Sequence, residues 1–256
     1  MAADFAGSAA LELRDVCKTF HPGSGRAVRA LDGLELSVHQ GDFAVLIGPT
    51  GCGKTTLLNM IAGLDTPDSG VLHLSETLRP GRNVPCVFQH YTLFPWRTIL
   101  RNVTFGLEMQ GVSRRARVDA ARALLERLGL IRFERAYPHE LSGGMRQRAA
   151  IAQALAIEPT LLLMDEPFGA LDDATRRELQ NMVCDLWRDT GMTVLFVTHN
   201  IDEAIVMGDR IMVFSERPGR VVKEVRVDLP RPRDRQSRAF TDCFVTLRQA
   251  LTVSVD

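Results

Sequence analysis

Phe43-Ala44-Val45-Leu46-Ile47-Gly48-Pro49-Thr50-Gly51-Cys52-Gly53-Lys54-Thr55 is the stretch that decides the fold. Five consecutive apolar residues read as a strand buried on both faces. Gly48 to Thr55 then fits the pattern GxxxxGK followed by Ser or Thr, and Thr55 to Ala62 continues as a helix closed by Gly63. A glycine-rich turn between a buried strand and a helix start suits phosphate. The glycines let successive N–H groups converge on one anion, and the helix N-terminus adds its positive end. Lys54 adds a full charge, and the Thr55 hydroxyl can ligate Mg²⁺. Thr56, one residue further along, joins the same set of phosphate-binding candidates.

On the N-terminal side, residues 11 to 47 alternate apolar and polar (Leu11, Leu13, Val16, then Leu34, Leu36, Val38), as in strands with one wet face. On the C-terminal side, residues from about Trp96 to Pro159 space their apolar positions (Val118, Ala121, Leu124, Leu125, Leu128) as helices do, which predicts a helical insert. Strand and helix then alternate: strand Leu161 to Met164, helix Ala174 to Arg188, strand Thr193 to Thr198, helix Ile201 to Met207, strand Ile211 to Ser215. That alternation predicts an α/β fold with a mostly parallel core sheet. No period of 20 to 50 residues recurs, so this is not a repeat array.

The strand Leu161-Leu162-Leu163-Met164 runs into two carboxylates, Asp165 and Glu166. The first suits Mg²⁺, and the second can polarise a water for in-line attack on a γ-phosphate. Further along the chain, Leu141-Ser142-Gly143-Gly144-Met145-Arg146-Gln147 precedes a helical stretch, with Ser142 placed as N-cap and two glycines exposing backbone N–H groups. This is a second anion site in one chain, and it invites a sandwich in which phosphate held by Lys54 of one subunit is covered by Ser142, Gly143 and Gly144 of another.

Together these segments resemble the nucleotide-binding domain of ATP-binding cassette (ABC) transporters, from about Leu11 to about Leu229. The resemblance implies a P-loop NTPase of ABC type, with an antiparallel β subdomain beside the core sheet and a helical subdomain at about 96–159. Residues 230–256 are left as a short C-terminal tail with a helix near Phe240 to Leu251. It makes Gly48 to Thr55 the Walker A loop, Leu161 to Asp165 the Walker B strand, and Leu141 to Gln147 the signature. Gln89, after a strand over Val84 to Phe88, becomes the Q-loop glutamine, whose amide can serve Mg²⁺ or the attacking water. Glu166 becomes the catalytic carboxylate and His199 the switch histidine, able to hydrogen-bond the γ-phosphate. Asp172 becomes a D-loop residue at the dimer interface, although an N-cap for the following helix reads equally well. Phe20 takes the position on which this family stacks adenine, whereas composition alone would put it in the core.

A finer resemblance lies in Phe88-Gln89-His90-Tyr91-Thr92-Leu93-Phe94-Pro95-Trp96, in Thr198 to Ala204 and in Phe214 to Arg220. These look like the nitrate, sulfonate and taurine importer branch, with a departure at Asn200, where that branch often has an acid. The resemblance implies a subunit that hydrolyses Mg-ATP and energises import through a separate permease at the cytoplasmic face of the membrane. Two copies of the chain would pair, a solute-binding protein would complete the system, and Trp96 is placed to touch the permease. The rival reading is a soluble ABC ATPase acting on DNA or ribosomes without a permease.

Bulk composition bears on that choice. Lys plus Arg number 31 and Asp plus Glu 31, so no global charge draws the chain to nucleic acid or lipid. The 45% hydrophobic content supports a substantial core. Cys17, Cys52, Cys86, Cys184 and Cys243 are scattered, with no CxxC pair, which points away from zinc sites and disulfides and fits a reducing cytosol. The start, Met1 to Phe5, lacks the basic and apolar segments of a leader, and no run of about 18 apolar residues occurs, so a membrane role would go through a partner. The arginines after Arg231 read as a solvated cap, with lipid headgroups or the permease as the other possible partners.

Overall fold

The computed structural model describes residues 9–21, 23, 25–89 and 92–253; Met1 to Phe5, His90 and Tyr91 lie outside them. Strands β1 (Ala9–Phe20), β2 (Val28–His39) and β4 (Ser69–Leu74) form an antiparallel sheet in the order β2-β1-β4. Strand β3 (Phe43–Ile47) lies inside a second sheet with β5 (Cys86–Val87), β6 (Leu161–Asp165), β7 (Thr193–Thr198), β8 (Arg210–Phe214) and β9 (Val221–Arg226). Its order is β5-β6-β7-β3-β8-β9, parallel throughout except for β9.

Period-two alternation divides the buried central strands between two cores. Phe43, Val45, Ile47, Leu162, Met164, Val194 and Phe196 face the helical side. Ala44, Leu46, Leu161, Leu163, Leu195 and Val197 face the other side, where they meet helix α1 (Lys54–Ile61) and the buried face of the β2-β1-β4 sheet. Leu11, Leu13, Val16, Leu34, Leu36 and Val38 all lie in this second core, which is what their alternation required.

Residues 96 to 159 carry no strand among the described residues. They form α2 (Ile99–Val103), α3 (Phe105–Met109), α4 (Arg114–Arg127), two short 3₁₀ turns and α5 (Gly143–Leu155). Helix α6 (Asp173–Thr190) is capped by Asp172 and stopped by Gly191, and α7 (Ile201–Met207) and α8 (Arg238–Val253) follow.

Two readings of the sequence need correction. The strand expected over Val84 to Phe88 shrinks to Cys86–Val87. Pro85 has no N–H to give; only its carbonyl joins the ladder, accepting from Leu163 N at 3.0 Å, so regular pairing begins one residue later. Arg231, Arg233 and Arg235 do not form a solvated cap, although Arg238 and Arg248 further along are exposed. Arg231 pairs with Asp209 and the Met207 carbonyl and lies 4.6 Å over the Trp187 ring. Arg233 is buried, donating to the carbonyls of Ile205, Gly208, Val227 and Leu229 and to Asp209. These guanidiniums supply donors that the end of α7 and the chain after β9 lack. Phe240 and Leu247 of α8 join the larger core.

Candidate nucleotide site

The loop from Gly48 to Gly53 joins β3 to α1 at the C-terminal ends of the parallel strands, where open α/β sheets place their ligands. Gly53 stands at φ 104° and ψ 4° as the residue before α1, a backbone that L side chains rarely adopt. Lys54 is only 4% exposed, and its ammonium donates to the carbonyls of Gly48 and Pro49, both at 2.8 Å, so the loop is wrapped around its own cation.

A cleft of about 890 Å³ opens above it, lined by Thr50, Gly51, Gly53, Lys54, Thr55, Thr56, Gln89, Asp165, Glu166 and His199 among the sequence candidates. Gly48, Pro49 and Cys52 lie behind that lining; Cys52 is buried. Phe20 is 42% exposed, with the Lys18 ammonium 5.5 Å from its ring, and it forms the apolar end of the cleft with Val28 and Ala30 rather than entering the core.

Buried Asp165 ends β6 and lines the cleft with Thr55. Burial pushes the Asp165 carboxyl above the usual carboxylate range, and Glu166 adds to the shift. The Thr55 hydroxyl and the Lys54 charge act the other way. A desolvated carboxylate next to a hydroxyl, with an amide oxygen available from Gln89 in the same cleft, is a hard oxygen donor set. It fits Mg²⁺, which takes one or two carboxylates and completes its shell with water and phosphate oxygens.

Glu166 adopts φ 45°, outside ordinary L-residue backbone, while its N–H donates to the Val197 carbonyl at 2.9 Å. That kink brings its Oε2 to 2.9 Å from Nδ1 of His199, at the end of β7. With the carboxylate ionised the imidazole donates from Nδ1, and Nε2 faces a phosphate oxygen as a donor only when the ring carries its second proton. Asn200, where a carboxylate was expected, caps α7 by accepting from the N–H groups of Asp202 and Glu203. An amide oxygen caps a helix as well as an acid does.

Ser142 is exposed and caps α5, accepting from Met145 N at 3.3 Å. Neither Ser142 nor Gly143 nor Gly144 lines the cleft that holds Lys54. A Cβ at Gly144 would stand 2.5 Å from Thr175 Cγ2, so glycine here lets α5 and α6 touch and ties the Ser142 helix start to α6. Exposed Asp172 caps α6, accepting from Thr175 N at 3.0 Å, and that N–H holds its carboxyl below the usual range.

Four residues that line the cleft were missed in the sequence: the apolar Val28 and Ala30, and the polar His21 and Arg217. Nε of Arg217 donates to the Gly51 carbonyl at 3.1 Å, bracing the phosphate loop from a turn 166 residues away. The signal was present in Phe214 to Arg220, which the sequence reading used only as a mark of family resemblance.

A parallel sheet delivering a phosphate cradle, a carboxylate at a strand end and a second carboxylate paired with histidine defines a P-loop nucleoside triphosphatase. The ABC transporter family model matches residues 31–169. The nitrate import ATP-binding protein NrtD of Synechocystis is 45% identical over 222 residues, 86% of this chain and 83% of that one. The aliphatic sulfonates import ATP-binding protein SsuB of Bacillus licheniformis is 44% identical over 241 residues, 93% and 91% of the two chains. Among solved structures, a dimeric form of the bacterial ABC transporter cassette MJ0796 superimposes with a TM-score of 0.75 at 34% identity, covering 85% of this chain and 98% of that one. The same cassette has also been solved as a post-hydrolysis dimer bound to ADP and Pi. This chain belongs to the ABC transporter ATP-binding family, and it is an ATP hydrolase of that type.

Proposed function

We propose that this chain is the ATP-hydrolysing subunit of an importer for a small anion such as nitrate, a sulfonate or taurine, working as a homodimer that closes on two ATP molecules. One observation carries the dimeric reading. The cleft with Lys54, Asp165, Glu166 and His199 excludes Ser142 to Gly144, although those residues form an exposed helix start suited to an anion. A second copy can supply that helix start to each cleft, with Asp172 at the seam.

In this reading the backbone N–H groups of Gly51 to Thr56 and the Lys54 ammonium hold the β- and γ-phosphates, and Phe20 supports the adenine. Thr55, Asp165 and Gln89 would hold Mg²⁺, which when bound neutralises charge on the phosphate oxygens. Glu166 orients the attacking water and takes its proton as the oxygen approaches phosphorus. His199 keeps that carboxylate in place and, when its ring carries both protons, donates from its other ring nitrogen to the γ-phosphate. Closing and reopening would be relayed to membrane permease subunits through the helical region 96–159, where Trp96 is 70% exposed with its ring 5.6 Å from that of Phe94. No helix of the described residues is long and apolar enough to cross a membrane, so the chain would sit peripherally on the cytoplasmic face, with an external solute-binding protein delivering cargo. The names of the nitrate and sulfonate relatives support the solute class and the direction.

The test is Mg²⁺-dependent ATP hydrolysis with size-exclusion chromatography, on wild type, Glu166→Gln and Lys54→Ala. Removing the proton acceptor should cost a factor of about 10² to 10⁴ in kcat while trapping an ATP-dependent dimer, and Lys54→Ala should not capture nucleotide. Hydrolysis by Glu166→Gln within about threefold of wild type, with no ATP-dependent dimer, would overturn the reading.

A further inference from the structure

Glu166 and His199 stand on separate loops, one after β6 and one after β7, and hydrolysis needs their spacing held. Behind them lies Glu203 of α7, a carboxylate only 5% exposed. Its Oε2 accepts from Thr198 Oγ1 at 2.6 Å, one residue before His199. Thr198 Oγ1 in turn accepts from Asn200 N at 3.0 Å, so the turn that carries His199 is tied on both sides. The other carboxylate oxygen accepts from Gln180 Nε2 at 3.3 Å and lies 3.7 Å from Arg176 Nε. Arg176 reaches the other loop, donating to the carbonyls of Leu171 at 2.7 Å and Phe168 at 3.4 Å, just after Glu166.

The brace extends to the C-terminal segment. Gln180 is 1% exposed, and its Oε1 accepts from Arg235 Nη2 at 3.0 Å, which leaves Nε2 to serve Glu203. Arg235 is itself anchored on Asp202 at 2.8 Å. Stability alone is a poor reason for such a buried cluster. Burial pushes the Glu203 carboxyl above the usual range, and a well-packed apolar group would avoid that cost. What an apolar group cannot do is gather a hydroxyl from β7 and an amide and a guanidinium from α6 around one point on α7.

We propose that Glu203 is a positioning residue for ATP hydrolysis, clamping the turn that carries His199 to the loop that carries Glu166, with Arg235 of the C-terminal segment locking the clamp through Gln180. The proposal rests on the reading of Glu166 and His199 as the hydrolytic pair. Glu203 lies behind that pair and is absent from the lining of the cleft.

The experiment measures kcat and KM for ATP, with thermal unfolding, in wild type, Glu203→Gln, Arg235→Ala, Arg235→Lys, His199→Ala and the Glu203→Gln/His199→Ala pair. Glu203→Gln keeps size and removes charge. It should lower kcat about tenfold or more, leaving KM within about twofold and Tm within about 3 °C. In the His199→Ala background it should add nothing, because both act through one element. Arg235→Ala should show a smaller fall in kcat that Arg235→Lys partly restores. Wild-type kcat in Glu203→Gln, a loss that tracks KM or Tm, or losses that multiply in the double variant would each overturn the proposal. If Glu203→Gln does not fold, Arg235→Ala decides by the same criteria. Full activity in His199→Ala would instead sink the underlying reading of the site, and the proposal with it.

Discussion

Replacing Gly53 by alanine puts a single methyl where the cradle has least room. The added Cβ would lie 2.8 Å from the Ala30 carbonyl oxygen and 2.8 Å from Leu31 Cδ2, with φ at +104°. The left-handed backbone costs an L residue about 1–2 kcal/mol. Pressing the methyl into β2 adds about 1–3 kcal/mol, because a main-chain carbonyl cannot swing aside as a side chain can. The total is roughly 2–5 kcal/mol, relieved only by moving the loop off β2, which misaims its N–H groups and Lys54. Urea unfolding with and without Mg-ATP separates the two consequences. Wild type should gain about 2.7 kcal/mol at an ATP concentration about 100 times Kd, and Gly53→Ala should gain almost none. Gly191→Ala is the control: φ is +65° but nothing lies within 4 Å of the added Cβ, so only the backbone part, about 1 kcal/mol, should appear and the ATP gain should persist. Stability of Gly53→Ala within about 0.5 kcal/mol of wild type, with the ATP gain intact, would refute the steric argument.

Two further outcomes follow from buried or partly buried ion pairs. Arg233→Met strips donors from the carbonyls of Ile205, Gly208, Val227 and Leu229 and should cost about 3–5 kcal/mol in urea unfolding, with faster amide exchange in α7 and α8; a cost below about 1 kcal/mol would contradict the anchoring role. Lys18 donates to Asp65 at 2.6 Å, which holds the Asp65 carboxyl below its usual range and the Lys18 ammonium above its own. The depressed carboxyl stabilises the fold above the unfolded carboxylate pKa, and this is lost as pH falls through its folded value. The raised ammonium stabilises the fold below the unfolded lysine pKa, and this is lost as pH rises through its folded value. The pair therefore contributes fully between about pH 4 and pH 10, and Lys18→Met should narrow the gap to wild type at both extremes; a pH-independent gap would rule the pair out as its source.

What local spacing encodes was legible in the chain. Phe43 to Thr55 reads as strand, cradle and helix start because all three are neighbours in sequence, and α1 begins within one residue of the expected place. The helical stretch 96–159 and the strand over Thr193–Thr198 were equally readable, since apolar periodicity is a property of the segment itself. Pro85 shortened β5 through a missing donor, a signal that was on the page and went unused.

Contacts across long separations were not readable. Nothing local says that Arg233 points inward: a guanidinium is found in water unless carbonyl oxygens are waiting for it, and those come from α7 and from the chain after β9. The hydrogen bond between Glu166 and His199 spans 33 residues, and the brace of Arg217 on Gly51 spans 166. The sequence by itself determined the phosphate cradle and the elements around it, because backbone geometry, helix capping and apolar period act over a few residues. Only the tertiary structure decided which side chains meet at the cleft, which arginines are buried and which carboxylate braces the pair, because those depend on strand order in a sheet that sequence spacing does not specify.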